Sequence, residues 1–182
     1  MHNLSFRMSR GFVKEDDQEE APFIPPRAPL PEGEANLVTP RGMRLLEKER
    51  RSLEDERRSV IEKGEAGEIG EDDRRRQLIV INGRLDLLGE RIATAQIVQY
   101  DEVPGDVRFG TTVTFRHESG PGKGSEFTFT IVGVDEASIK EGRIAFTAPI
   151  VRALIGKRIG EIAELRLGNA VQRSKILDIA LG

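Results

Sequence analysis

Six acids fall within twelve residues near the middle of this 182-residue chain: Glu62, Glu65, Glu68, Glu71, Asp72 and Asp73, opposed there only by Lys63. Carboxylates are hard oxygen donors, and magnesium takes one or two of them while keeping waters at its other positions. A carboxylate pair held at the end of a rigid element would therefore help hold a metal in another protein's site. A plainer reading stands beside it. Glu71, Asp72 and Asp73 sit near the start of a helix, where acids suit the positive end of the macrodipole, so the cluster is a solvated tip. Arg74-Arg75-Arg76 follows at once. It either balances the acidic tip or contacts phosphate or an acidic partner.

Little else in the chain offers chemistry. There is no cysteine, which excludes a disulfide framework, a Cys-ligated zinc site and thiol catalysis. The two histidines, His2 and His117, have no ligand spacing, and no Ser/His/Asp arrangement is readable. Gly120-Pro121-Gly122-Lys123-Gly124 resembles a phosphate loop only weakly, because it lacks the GK[ST] ending and a following helix; it reads as a hairpin loop. With 28 basic against 31 acidic residues, the net charge of −3 is too balanced for a generic nucleic-acid coat. No apolar run approaches the roughly 20 residues of a membrane span. The first eight residues lack the apolar stretch of a signal peptide. The expectation is a soluble cytoplasmic chain without a catalytic site of its own.

The elements that would position the acids divide the chain into three. Residues 1–38 hold five of the nine prolines and an acidic run from Glu15 to Glu20. Such a segment cannot bury enough apolar surface to offset its ordering entropy, so it reads as an extended or disordered tail. Within it, Phe23, Ile24 and Leu30 are the residues able to dock.

Residues 39–100 read as an antiparallel coiled-coil hairpin. Thr39-Pro40 is a helix start, a hydroxyl N-cap followed by proline at the first helical position. Met43, Leu46, Leu53 and Val60 form one heptad seam, with Arg50 and Arg57 at the alternate positions. Gly64, Gly67 and Gly70 break the pattern, and a second helix resumes near Asp72. Its apolar residues Leu78, Ile81, Leu85, Leu88, Ile92 and Ala95 alternate steps of three and four.

Residues 101–182 read as a small antiparallel β domain with one short helix, α+β in class. Strands are expected over 107–115, 126–134, 143–147, 161–167 and 174–180, with the helix over 149–154.

A charged helical hairpin followed by a small β-rich domain resembles the bacterial transcript-cleavage factors of the GreA/GreB family. Thr39-Pro40-Arg41-Gly42 and the leucine-bearing helix after it resemble the family's T-x-x-G opening. Gly83-Arg84-Leu85 through Ala95-Gln96-Ile97-Val98 resembles the end of its second helix, and Val107 to Val113 the start of its globular domain. Ile131-Val132-Gly133-Val134-Asp135-Glu136-Ala137 matches its I-V-G-x-D-E-A segment closely. Ala148 to Lys157 resembles S-P-I-A-R-A-L-I-G-K, with Ala148 and Val151 as departures.

The resemblance implies an FKBP-like globular domain that docks at the rim of the RNA polymerase secondary channel, while the hairpin enters the channel. It implies an accessory factor rather than an enzyme, acting as a monomer, with nascent RNA and DNA met only through the polymerase and no membrane. The family's tip reads G-D-L-x-E-N, and the best match is Gly67-Glu68-Ile69-Gly70-Glu71-Asp72. The resemblance thus places Glu68 and Glu71 as ligands to a magnesium shared with the polymerase, with Asp72, Asp73 and Glu65 as substitutes and no cofactor intrinsic to the chain. Pro149, Ile150, Ala153, Leu154 and Lys157 lie in the matched C-terminal segment, either on the docking surface or in the core.

The hairpin is shorter than the family's by roughly four to five residues per arm, about 7 Å of reach at the helical rise. Two readings follow: a factor that stimulates cleavage of backtracked RNA, or a channel-binding regulator or inhibitor without cleavage. A different class, peptidyl-prolyl isomerase, would need a pocket lined by Phe109, Phe115, Phe127, Phe129 or Phe146.

Overall fold

Thr39 is in extended conformation, and its hydroxyl accepts the Gly42 N–H at 2.9 Å, which caps the first long helix. The computed structural model describes residues 21–167 and 170–182; the acidic run Glu15 to Glu20 lies outside them. Helix α1 runs Pro40–Glu65 and helix α2 Glu71–Ala93, packed as an antiparallel hairpin. Leu46, Leu53 and Val60 of α1 and Ile81 and Leu88 of α2 are buried along the seam, while Arg50 and Arg57 stay exposed. The heptad spacing explains this: one narrow apolar stripe per helix is all that a core two helices wide can cover.

Two short strands join the hairpin to the rest. Strand β1 (Leu37–Val38) leads into α1, and β2 (Gln96–Ile97) leaves α2; they pair in parallel. Side chains alternate along a strand, and here the alternation splits two cores. Val38 is buried with Leu46, Leu53 and Leu88 in the hairpin base. Leu37 packs against the core of the sheet domain. Sequence pattern does not reveal this weld, because two residues carry no period.

The sheet domain has strands β3 (Thr111–His117), β4 (Glu126–Val132), β5 (Arg143–Ala145), β6 (Ile162–Leu167) and β7 (Ala170–Leu181) in the order β5-β4-β3-β7-β6. Helix α3 (Pro149–Leu154) lays Val151 and Leu154 into the core with Val113, Phe115, Ile131, Ile176 and Ile179. The first strand begins later than expected. Arg108 O accepts the Thr111 N–H and Gly110 sits at φ +81°, so residues 108–111 turn before β3 starts.

The expected antiparallel sheet is mixed. Strand β5 pairs with β4 in parallel, Thr130 beside Arg143 and Val132 beside Ala145. The connection between them, with one turn of 3-10 helix at Ile139–Glu141 and Gly142 at φ +64°, returns the chain to the start of the pairing. Strand β7 carries a bulge: Thr114 faces Asp178 but Phe115 faces Ile176. The extra residue, Leu177, resets the inward face from Gln172, Ser174 and Ile176 to Ile179.

Candidate functional site

The six acids of the tip are held at the end of the hairpin farthest from the sheet. Each of the three glycines there has a separate task. Gly64 lacks the Cβ that would stand 2.4 Å from Arg74 Cδ, so the Arg74 stem can cross the end of α1. Gly67 takes φ +71°, and Gly70 is the N-cap of α2. Glu65, Glu68, Glu71, Asp72 and Asp73 are all exposed. Glu71, Asp72 and Asp73 form the first turn of α2, as the dipole reading requires. Arg75 lies 3.0 Å from Asp72, and Arg74 lies 4.0 Å from Glu71.

Among the described residues, no group of three acids or histidines is placed to hold a metal ion. The donor chemistry nevertheless fits magnesium as a partial ligand set, because that ion takes one or two protein carboxylates and fills its other positions elsewhere.

The second cluster lies at the joint between hairpin and sheet, and sequence reasoning did not assign it a role. Glu136 has only 1% of its side chain exposed. Its carboxylate accepts the Thr39 hydroxyl, Arg143 Nη1 at 2.7 Å and Arg41 Nη1 at 3.4 Å. The Thr39 oxygen thus donates to the sheet domain while it accepts from Gly42. A Cβ on Gly42 would stand 2.7 Å from Glu136 Oε2. The segments Thr39-Pro40-Arg41-Gly42 and Gly133-Val134-Asp135-Glu136 therefore fit each other. Gly133 belongs to the same fit, since a Cβ there would meet Leu37 O at 2.6 Å. The Arg41 guanidinium is held above its usual range, first by its hydrogen bond to Glu141, against a smaller opposing effect of burial.

Asp135 stands beside Glu136 and takes a different set of partners. Arg27 donates to its Oδ1 through Nη2 at 2.7 Å and Nε at 3.1 Å. Arg91 Nη1 lies 3.3 Å from Oδ2, at ion-pair distance without hydrogen-bond alignment. Asn36 closes the end of α2 by donating to Arg91 O at 2.7 Å and Thr94 Oγ1 at 3.0 Å.

The C-terminal segment divides by burial. Leu154 is fully buried and Ile150 packs against the same core, so helix α3 uses them inward. Pro149 is exposed, and Ala153 and Lys157 are half-buried. The five phenylalanines do not share one pocket. Phe109 and Phe115 are both in the core; Phe115 stacks on exposed Phe127, and Phe109 meets Phe146 edge to face at 5.7 Å beside a cavity of about 470 Å³ with Leu37, Tyr100 and Ile155. His117 spends Nδ1 on buried Ser174 at 2.9 Å.

Hairpin, welded joint and mixed sheet together define a two-part chain: a charged arm fixed at its base, with acids at its free end. The sequence is similar to known proteins. The family described as "Transcription elongation factor, GreA/GreB, C-term" matches residues 102–181. The transcription elongation factor GreA of Chloroflexus aggregans is 34% identical over 137 residues, covering 74% of this chain and 85% of that one. The GreA of Maricaulis maris is 35% identical over 103 residues, 56% of this chain, and the match spans 64% of that relative's length. A GreA/GreB factor of solved structure from Nitrosomonas europaea is 22% identical, with 81% of this chain and 98% of that one covered at a TM-score of 0.36, too loose a superposition to compare the arms. The chain belongs to the GreA/GreB family of transcription elongation factors.

Proposed function

We propose that this chain binds RNA polymerase, places its hairpin in the secondary channel, and stimulates cleavage of backtracked nascent RNA by the polymerase's own site. The observation that carries the reading is the exposed acid set at the free end of an arm whose base is clamped to the sheet domain. Such a clamp lets a docking domain aim a distant tip. Glu68 and Glu71 are the tip groups that would approach a polymerase-held magnesium, with Asp72, Asp73 and Glu65 beside them. The metal, when bound there, supplies Lewis-acid activation of water and phosphate. The chain's carboxylates contribute ligand oxygens and orient water. Pro149, Ala153 and Lys157 offer surface to the polymerase. In this reading the chain acts in the cytoplasm as a monomeric accessory factor and meets RNA and DNA only within the polymerase complex. No described helix is long and apolar enough to cross a membrane.

A second reading keeps the same binding but removes cleavage. One observation favours it, that the described residues hold no group of three metal donors at the tip, and the shorter arm that the resemblance implies points the same way. A stalled, backtracked polymerase complex with labelled RNA decides between them. RNA shortening with the wild-type chain and not with Glu68→Ala/Glu71→Ala supports the cleavage factor. Binding without shortening makes the chain a channel-occupying regulator, and absence of binding overturns both. A proline-isomerisation assay tests the enzyme alternative.

A further inference from the structure

Residues 21–36 form no regular element up to Leu37, yet they lie against three parts of the molecule. Ile24 covers Gly83 on α2, where a Cβ would stand 2.3 Å from Ile24 Cδ1. Arg27 forks between two elements: Nη1 and Nη2 reach Glu49 of α1 at 3.0 and 3.1 Å, and Nη2 and Nε reach Asp135 of the sheet domain at 2.7 and 3.1 Å. Its side chain is only 16% exposed. Ala28 O accepts Arg91 Nη2 of α2 at 2.6 Å, and Glu34 pairs with Arg152 of α3 at 3.3 Å.

The positions of these contacts matter. Thr39 and Glu136 sit at the hairpin base, where a joint resists rotation with little leverage. Glu49 lies nine residues beyond Pro40, about 14 Å along the helix. Gly83 lies ten residues before the last residue of α2, about 15 Å from that end. Contacts this far up the arm oppose swinging much more effectively than contacts at its base. A planar guanidinium is the side chain able to bind two carboxylates on different elements at once.

We propose that residues 24–36 are an intramolecular strap that sets the angle of the hairpin on the sheet domain, with Arg27 as its positioning residue. The consequence for tip placement rests on the polymerase-binding reading; the strap itself does not. Its failure and that reading's failure are therefore separable, because the decisive measurement uses the isolated chain.

The chain has no cysteine, so labels can be introduced cleanly. Spin labels at Glu56→Cys on α1 and Lys140→Cys on the sheet domain, both exposed positions, report the arm's angle by pulsed electron resonance. The labelled 182-residue chain with no other change gives one narrow distance distribution. Arg27→Ala and, separately, Gly83→Val, which evicts Ile24, each broaden it and shift its centre. Arg27→Lys keeps the charge but not the fork and gives an intermediate width. Circular dichroism checks that the helices persist; Arg27 lies outside both, so that variant keeps the hairpin folded. An unchanged centre and width in both Arg27→Ala and Gly83→Val overturns the strap.

Discussion

The Thr39 hydroxyl donates to the buried carboxylate of Glu136 while its oxygen accepts the N–H of Gly42. One side chain thus caps the hairpin's first helix and ties that helix to the sheet domain, across 97 residues of sequence. Glu136 is the shared acceptor for Thr39, Arg41 and Arg143. Removing it leaves the buried Thr39 hydroxyl without its acceptor and Arg143 with only its 3.8 Å pair to Glu141. Glu136→Ala should lower the unfolding free energy by about 3 kcal/mol, within the range for breaking a buried ion pair by deleting one partner. Urea denaturation followed by circular dichroism measures it. A loss below about 1 kcal/mol would mean that water replaces the carboxylate and the joint is not closed.

Two glycines in the hairpin make opposite predictions for the same substitution. Both lie inside helices, where alanine is ordinarily favoured by about 1 kcal/mol. An added Cβ at Gly89 meets nothing within 4 Å, so Gly89→Ala should raise stability by about 0.5–1 kcal/mol. At Gly42 the same atom stands 2.7 Å from Glu136 Oε2, and Glu136 is pinned by three partners and cannot retreat. Gly42→Ala should therefore destabilise by about 1–2 kcal/mol, the cost of overpacking. Thermal melts of the two variants side by side test the sign, and a stabilising Gly42→Ala would break the argument.

What was legible in the sequence was local in origin. The seam of Met43, Leu46, Leu53 and Val60 repeats within the helix that bears it, and it marks the buried stripe directly. Helix α3 follows from Pro149, and the presence of the strands, though not all their bounds, from alternation in the same way. The hidden parts depend on distant partners. Strands β1 and β2 are two residues each, too short to show a period. The parallel placement of β5 arises from a fold-back between Val132 and Arg143 that no pattern of apolar residues encodes. The tip acids were legible as a place but not as an arrangement, because carboxylate separation depends on how Gly67 turns the chain. Glu136 lay in a segment matched by resemblance, but a buried glutamate is identified only by the hydroxyl and guanidinium groups that close on it. Arg27 had no local signal, since Glu49 and Asp135 approach it from 22 and 108 residues away.

The strap should resist alkali in a way that depends on its arginine. Burial pulls the Arg27 pKa down, but hydrogen bonds to Glu49 and Asp135 outweigh it, and the net shift is upward. A cation whose folded pKa is raised contributes stability that is full below its unfolded pKa and lost only as pH climbs through the folded one. For arginine that window lies far above neutrality, so raising the pH to about 11 should leave the spin-label distance unchanged. In Arg27→Lys the unfolded value falls to about 10.4, and the strap should open as pH passes beyond about 11. Equal behaviour of the two proteins across that range would show that charge at this position does not hold the strap.

Stability and activity should part company at the tip. Glu68 and Glu71 are exposed and support no core, so replacing them moves the unfolding free energy by no more than about 0.5 kcal/mol. The directions should differ. Glu71 opens α2 and meets the positive end of its dipole, so Glu71→Ala is slightly destabilising. Glu68 precedes the helix among like charges, so Glu68→Ala is neutral or slightly stabilising. RNA shortening in a backtracked polymerase complex should instead fall by about a hundredfold in the double variant, the scale of losing about 3 kcal/mol of transition-state stabilisation. The comparison is diagnostic because each quantity controls for the other. Lost shortening with an intact melt assigns the acids to the polymerase reaction. Unimpaired shortening by the double variant would leave the tip without a part in cleavage and move the search to another surface of the hairpin.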